Sequence, residues 1–198
     1  MRHYLAATVV TSLLAAGAQA GMITLSGPIS GANENPPTGS PGTGFASVLL
    51  DNALHTLTVD ANFSNLFPTI PNTSTPSGTT AAHIHCCVAP PGNAGVATTT
   101  PSFVGFPLGV TSGTFHTVLN LLDPASYNPA FIAMNGGNVA AADIVFENNL
   151  TDGQTYFNIH TNAFGGGEVR AFLLTPEPTT AALTLSAAAA LWLLRRKR

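Results

Sequence analysis

The sequence predicts an all-β domain, a single β-sandwich or barrel of the immunoglobulin-like or superoxide-dismutase-like kind. Three observations carry this expectation. Leu54 to Phe63, LHTLTVDANF, alternates cleanly, with Leu57, Val59, Ala61 and Phe63 on one face and Thr56, Thr58, Asp60 and Asn62 on the other. A half-buried strand has that period of two. Turn-forming residues punctuate the chain, with 19 Gly and 15 Pro in 198 residues. Strongly helical polar residues are scarce, and the only lysine is Lys197, at the C-terminal end.

The elements follow in order. Phe45 to Leu50 is a strand, and Asp51-Asn52-Ala53 turns it into Leu54 to Phe63 as a hairpin. Phe67 to Thr80, rich in Pro, Thr and Ser, is a long loop, and Pro90 to Pro101 is another. Between them Ala81 to Val88, AAHIHCCV, reads as a strand with Ala82, Ile84, Cys86 and Val88 facing inward. Gly113 to Leu122 is a strand. Pro129 to Met134 is a short helical turn that Asn135-Gly136-Gly137-Asn138 ends. Tyr156 to Thr161 and Glu168 to Leu174 are the last two strands, separated by Gly165-Gly166-Gly167. No internal repeat of fixed period is present.

Both ends carry targeting patterns. Residues 1–20 resemble a secretory signal peptide: Arg2 and His3, an apolar stretch from Tyr4 to Gly17, and the small-x-small site Ala18-Gln19-Ala20. Cleavage there would start the mature chain at Gly21. Residues 176–198 hold Pro176-Glu177-Pro178, the apolar run Thr179 to Leu194, and the cluster Arg195-Arg196-Lys197-Arg198. The apolar run has 16 residues, short of the roughly 20 that cross a bilayer upright. It reads as a weak helical anchor, inserted transiently, or as a tail later removed. The basic cluster suits the cytoplasmic side. In this order the three parts resemble the PEP-CTERM sorting signal of Gram-negative bacteria. That resemblance implies an exosortase-type membrane protease-transpeptidase as partner, cleavage near Pro-Glu-Pro, and export to the surface or an exopolysaccharide matrix.

Residues 21–175 are one domain in size. They hold eight acidic side chains (Glu34, Asp51, Asp60, Asp123, Asp143, Glu147, Asp152 and Glu168) against a single arginine, Arg170. The net is seven negative charges. Nucleic acid and anionic membrane surfaces require clustered Lys and Arg, so both are excluded as partners of this domain. A cation or a neutral glycan suits it better.

The chemistry-bearing residues share one expected face. In AAHIHCCV, Ala81, His83, His85 and Cys87 oppose the inward set. In the later strands Phe157, Ile159, Val169, Ala171 and Leu173 point inward, which leaves Tyr156, Asn158, His160, Glu168 and Arg170 opposite. If the strands are neighbours, His83, His85, His160, Glu168 and Arg170 gather on one outer surface. Two histidines at i and i+2 on a strand are roughly 6.5 to 7 Å apart at Cα. Their rings can converge on one metal, with His160 as a third ligand and Cys87 on the correct face to join. Three imidazoles suit zinc or copper, and a thiolate would too. His-x-His is a weak motif alone, since exposed strands often carry histidine. The structural alternative makes Glu168 and Arg170 an ion pair across the sheet and Glu34 a turn residue holding backbone amides.

Adjacent Cys86 and Cys87 point to opposite faces of a regular strand, so a bond between them requires local distortion. The alternatives are free thiols or bonds to another chain. Cys86 reads as a small buried hydrophobe; Cys87 stays open. The Asn-x-Ser/Thr sequences at Asn62, Asn72 and Asn149 read as ordinary polar residues of loops and strands.

Four segments together resemble the CHRD domain, named after chordin: LSGPISGANENPP (Leu25 to Pro37), with its Gly-x-x-Glu-x-Pro-Pro pattern; AAHIH (Ala81 to His85); YFNIHT (Tyr156 to Thr161); and GGGEVR (Gly165 to Arg170). They stand in the family's order and span nearly the whole domain. The resemblance implies an extracellular β domain. Chordin itself is a secreted binder of growth factors, and the bacterial members have no settled activity. Two departures stand out: Cys86-Cys87 replaces the common Gly-Pro after His85, and Ala130 to Asn148 is longer than usual. A weaker likeness is to copper–zinc superoxide dismutase, where His-x-His on a strand holds copper outside a β-barrel. The zinc loop and full ligand set of that enzyme have no counterpart here, so the analogy stays at the level of fold.

No Ser-His-Asp or paired-carboxylate spacing supports catalysis. The expected function is an exported, non-catalytic binding or structural domain of the cell surface or exopolysaccharide matrix, with polysaccharide or a surface protein as partner. The alternative is a copper or zinc protein built on His83, His85 and His160.

Overall fold

The computed structural model describes residues 21–176. The signal-peptide reading and most of the sorting segment, including Glu177, Pro178, Arg195 and Arg196, lie outside the described residues. Among the described residues no helix is long and apolar enough to cross a membrane.

Eight strands form one antiparallel sheet that curls into a half-barrel. They are β1 (Met22–Ser30), β2 (Thr43–Asp51), β3 (Thr56–Ser64), β4 (Thr79–Cys86), β5 (Gly95–Val96), β6 (Gly113–Asn120), β7 (Thr155–Thr161) and β8 (Val169–Phe172). Their spatial order is β5-β4-β7-β8-β1-β2-β3-β6. The expected all-β class is therefore realised as a single curled sheet, without the two stacked sheets of a sandwich. Two helices interrupt it, α1 (Pro129–Met134) and α2 (Val139–Thr151).

The hairpin β2–β3 forms where alternation predicts it. Ala46, Val48, Leu50, Leu57, Val59, Ala61 and Phe63 are all buried. At the turn, Asp51 Oδ1 accepts from the backbone N–H groups of Ala53 and Leu54, a local bond that Asp supplies readily.

β1 is a strand that alternation does not reveal. It carries Gly27 and Pro28 next to β8, where the β1–β8 ladder contains only the pair Ser30–Arg170. A Cβ on Gly27 would sit 2.2 Å from the carbonyl oxygen of Phe172. The two backbones touch there, which only glycine permits, and proline has no N–H to offer that neighbour.

Helix α2 is also additional to the expected β elements. Asn138 caps it by accepting from the Ala141 N–H. Ala142, Phe146 and Leu150 are fully buried at i, i+4 and i+8, the spacing of one helix face. Tyr127, Phe131 and Phe146 pack their rings together beneath it, with centroids 5.9 to 6.2 Å apart.

The other aromatic centre joins Phe103, Phe106, Phe115 and Phe157. Phe157 is fully buried between the rings of Phe103 and Phe106. Phe157→Ala is expected to cost about 3–5 kcal/mol through lost burial and a residual cavity. A urea unfolding midpoint that stayed at the wild-type value would contradict this placement.

Candidate functional site

The site lies on the outer face of β4, β7 and β8, three adjacent strands. Across β4 and β7 His85 stands opposite Tyr156, His83 opposite Asn158 and Ala81 opposite His160. Across β7 and β8, Asn158 stands opposite Arg170. The alternation that puts Ala82, Ile84, Phe157, Ile159, Val169 and Ala171 in the core, all fully buried, turns the polar set to this face.

That face is covered, contrary to the expected open surface. His83, His85, Glu168 and Arg170 are all buried. The segment Pro90 to Pro101 folds over the sheet, and its backbone meets the histidines directly. The His83 Nε2 lies 2.6 Å from the Pro101 carbonyl oxygen and the His85 Nδ1 lies 2.9 Å from that of Ala94. His160 Nδ1 lies 3.0 Å from the Gly165 carbonyl oxygen, in the glycine loop before β8.

These contacts set the tautomers. A carbonyl oxygen only accepts, so the ring nitrogen facing it carries the hydrogen. Burial lowers the pKa of all three histidines, and takes that of His85 from 6.5 to about 4, so the rings are neutral at pH 7. The second nitrogen of each ring is then bare. His83 Nδ1, His85 Nε2 and His160 Nε2 are shielded from solvent and have no hydrogen-bond partner. One nitrogen from each ring lies within 4.8 Å of the others, and the ring centroids are 5.1 to 5.9 Å apart. Three rings, each with one bare and shielded nitrogen, thus crowd together with nothing to donate to them.

The rest of the face is a scaffold. Arg170 donates from Nε to Glu34 Oε2 at 2.7 Å and from a terminal nitrogen to Asn93 Oδ1 at 2.8 Å. It also lies over the Tyr156 ring, with Cζ 4.3 Å from the centroid, a cation–π contact. Tyr156 in turn stacks on His85 at 4.8 Å, the rings nearly parallel at 7°. Glu168 does not pair with Arg170, and Glu34 is no mere turn residue. The partner of Arg170 is Glu34, 136 residues away. Glu168, fully buried, accepts from Ser40 Oγ and Thr161 Oγ1, each at 2.6 Å, and from the Phe67 N–H at 2.8 Å. It ties three chain segments together. A Cβ on Gly167, whose φ is +124°, would meet Asn158 Oδ1 at 2.5 Å, so the glycine loop can press against β7 only without a side chain.

Of the alternatives open for the cysteines, the structure takes the bond between neighbours. β4 ends at Cys86, the Cys86–Cys87 peptide is cis, and the two sulfurs form a disulfide. Strand alternation stops there, so the expected opposite facing does not apply. For the same reason Val88, expected inward, is 40% exposed. Neither cysteine is a free thiol, and Cys87 has no thiolate for a metal.

A cleft of about 470 Å³ opens beside the histidines, lined among others by His85, Tyr156, Arg170, Asn93, Phe164 and Pro36. Asn93 and the three anchoring carbonyls escaped sequence reasoning. Backbone carbonyls carry no residue signature, and nothing local marks a loop asparagine as the partner of a distant arginine.

The buried rings make stability pH-dependent. The unfolded chain protonates His85 below about pH 6.5, whereas the folded ring stays neutral to about pH 4. Stability from this group is complete above pH 6.5 and falls as the pH drops through that window, by on the order of 3 kcal/mol. Metal-free wild type should therefore lose more melting temperature between pH 7 and pH 4.5 than His85→Gln. Parallel losses in the two proteins would refute the neutral-ring assignment.

Fold and site together define a half-barrel β domain with a buried histidine cluster under a covering loop. Residues 25–173 match the family model of the CHRD domain. The chain belongs to the CHRD domain family. CHRD domains occur in extracellular or secreted proteins, which agrees with export. No curated protein and no solved structure matches the chain.

Proposed function

We propose that this domain is an exported metal-binding component of the bacterial surface or exopolysaccharide matrix. It would hold one copper or zinc ion on His83, His85 and His160. The observation that carries the reading is the set of three bare, shielded ring nitrogens without partners. Buried acceptors are normally satisfied, and a cation satisfies all three at once. Imidazole ligands suit both ions, and copper(II) binds such sites more tightly than zinc. Copper would supply one-electron chemistry and zinc a Lewis acid. The chain's own part is to hold the rings neutral, fix their tautomers through Ala94, Pro101 and Gly165, and limit access to the cleft. Such carbonyl contacts behind metal-bound histidines orient the rings and raise their basicity.

The sorting pattern supports an exosortase-type enzyme as processing partner, with transient membrane insertion of the C-terminal segment. The cleft beside His85 and the single, committed arginine support an uncharged saccharide or a surface protein as matrix partner. The test is metal analysis of exported protein purified without an affinity metal. Close to one equivalent of copper or zinc, retained through gel filtration, is expected. Protein that stays metal-free after exposure to both ions would end the reading.

A further inference from the structure

A second cluster lies away from the histidine face. His55 sits at the β2–β3 turn, its carbonyl held by the Leu121 N–H at 2.7 Å. Asp143 and Glu147 are one turn apart on α2, the helix that buries Ala142, Phe146 and Leu150 in the core. His55 Nδ1 is 2.7 Å from Asp143 Oδ2 and 3.4 Å from Glu147 Oε1. The Asp143 side chain is 2% exposed, and the Tyr127 hydroxyl donates to its other oxygen at 3.4 Å. One ligand atom from each of the three residues lies within 4.8 Å of the others.

Two features set this trio apart from an ordinary ion pair. His55 Nδ1 and Glu147 Oε1 are both shut off from solvent and neither makes a well-aligned hydrogen bond, although His55 Nδ1 lies at ion-pair distance from Asp143. The charges also do not balance. Arg170 is the only Lys or Arg between residues 21 and 176, and it is committed to Glu34. Asp143 and Glu147 therefore have no Lys or Arg among the described residues to pair with.

We propose that His55, Asp143 and Glu147 form a second divalent-cation site, of the zinc class, that clamps α2 to the β2–β3 turn. One imidazole nitrogen and two carboxylate oxygens are a zinc-type donor set. Calcium takes six to eight oxygen ligands and has too few here. Two carboxylates held this close on one helix repel each other, and burying the Asp143 side chain makes its charge costlier. A dication removes that penalty. The site shares no residue with the histidine face and stands whether or not that face binds metal.

The probe is zinc chloride alone, added to the full chain and read by equilibrium dialysis and thermal melting. The H83A/H85A variant, which lacks the first cluster, should still bind one equivalent of zinc and melt at a higher temperature with it. Adding E147Q to that background should abolish both. E147Q alone should lose one equivalent relative to wild type, which keeps the test valid if the histidine variant does not fold. Zinc binding that E147Q leaves unchanged, or no zinc in H83A/H85A with equal stoichiometry in wild type and E147Q, would overturn the site. It would leave a bare histidine–carboxylate network.

Discussion

Glu34→Ala is expected to destabilise the domain by about 3–5 kcal/mol, because it strands a buried guanidinium. The side chains of Arg170 and Glu34 are 3% and 4% exposed. Asn93 Oδ1 and the Gly92 carbonyl would remain as acceptors, but neither carries charge. A domain of this size has about 5–15 kcal/mol in all, so the loss is a large share of the whole. Glu34→Gln keeps an acceptor beside Arg170 and should fall between wild type and alanine. Urea unfolding of the three proteins decides the matter. An alanine variant within about 1 kcal/mol of wild type would mean that water or a shifted loop satisfies Arg170, and the Glu34–Arg170 pair would not hold the domain together. The consequences should extend beyond stability. Arg170 reaches the covering loop through Gly92 and Asn93, and that same loop anchors His85 through Ala94.

The second large effect falls on metal affinity. Replacing a residue behind a ligand typically costs 10- to 100-fold in metal affinity. His83→Ala or His160→Ala removes a ligand outright, so a loss above about 100-fold is expected at this site for copper, and for zinc when E147Q silences the second site. Competition against a chelator of known affinity measures it. His116→Ala is the control: that histidine is exposed, on β6, and pairs with Asp60. Equal affinity in wild type and His160→Ala would exclude a three-histidine site. The anchors themselves resist mutation. Pro101→Ala keeps the carbonyl that faces His83, so it should leave affinity nearly unchanged unless the loop moves.

Much of this arrangement was legible in strict alternation. Leu57 to Phe63, Phe157 to Ile159 and Val169 to Ala171 fall on the core side as their period requires, and His83, His85 and His160 then share the opposite face. The failures have local causes. Gly27 and Pro28 interrupt the β pattern of β1 because the chain there meets another backbone. The Ala-rich start of α2 lacks polar helix formers, so its signal lay in the Asn138 cap and the spacing of Ala142, Phe146 and Leu150. Cys86 and Cys87 continue the alternating pattern in sequence, but the strand ends at Cys86. The covering of the histidines was not legible, since Pro90 to Pro101 has no periodicity and acts through backbone oxygens. The Glu34–Arg170 pair joins two ends of the domain, and no local pattern connects them.

The near absence of Lys and Arg has a further consequence, in resistance to proteolysis. Enzymes that cut after Lys or Arg find one candidate bond between residues 21 and 176, after Arg170. That residue is 2% exposed and lies within β8. Trypsin-like enzymes outside the cell would find no accessible bond of their own kind in the folded domain, and only one if it opened. The same property that leaves the carboxylates short of protein cations would thus let the domain persist where such proteases are secreted.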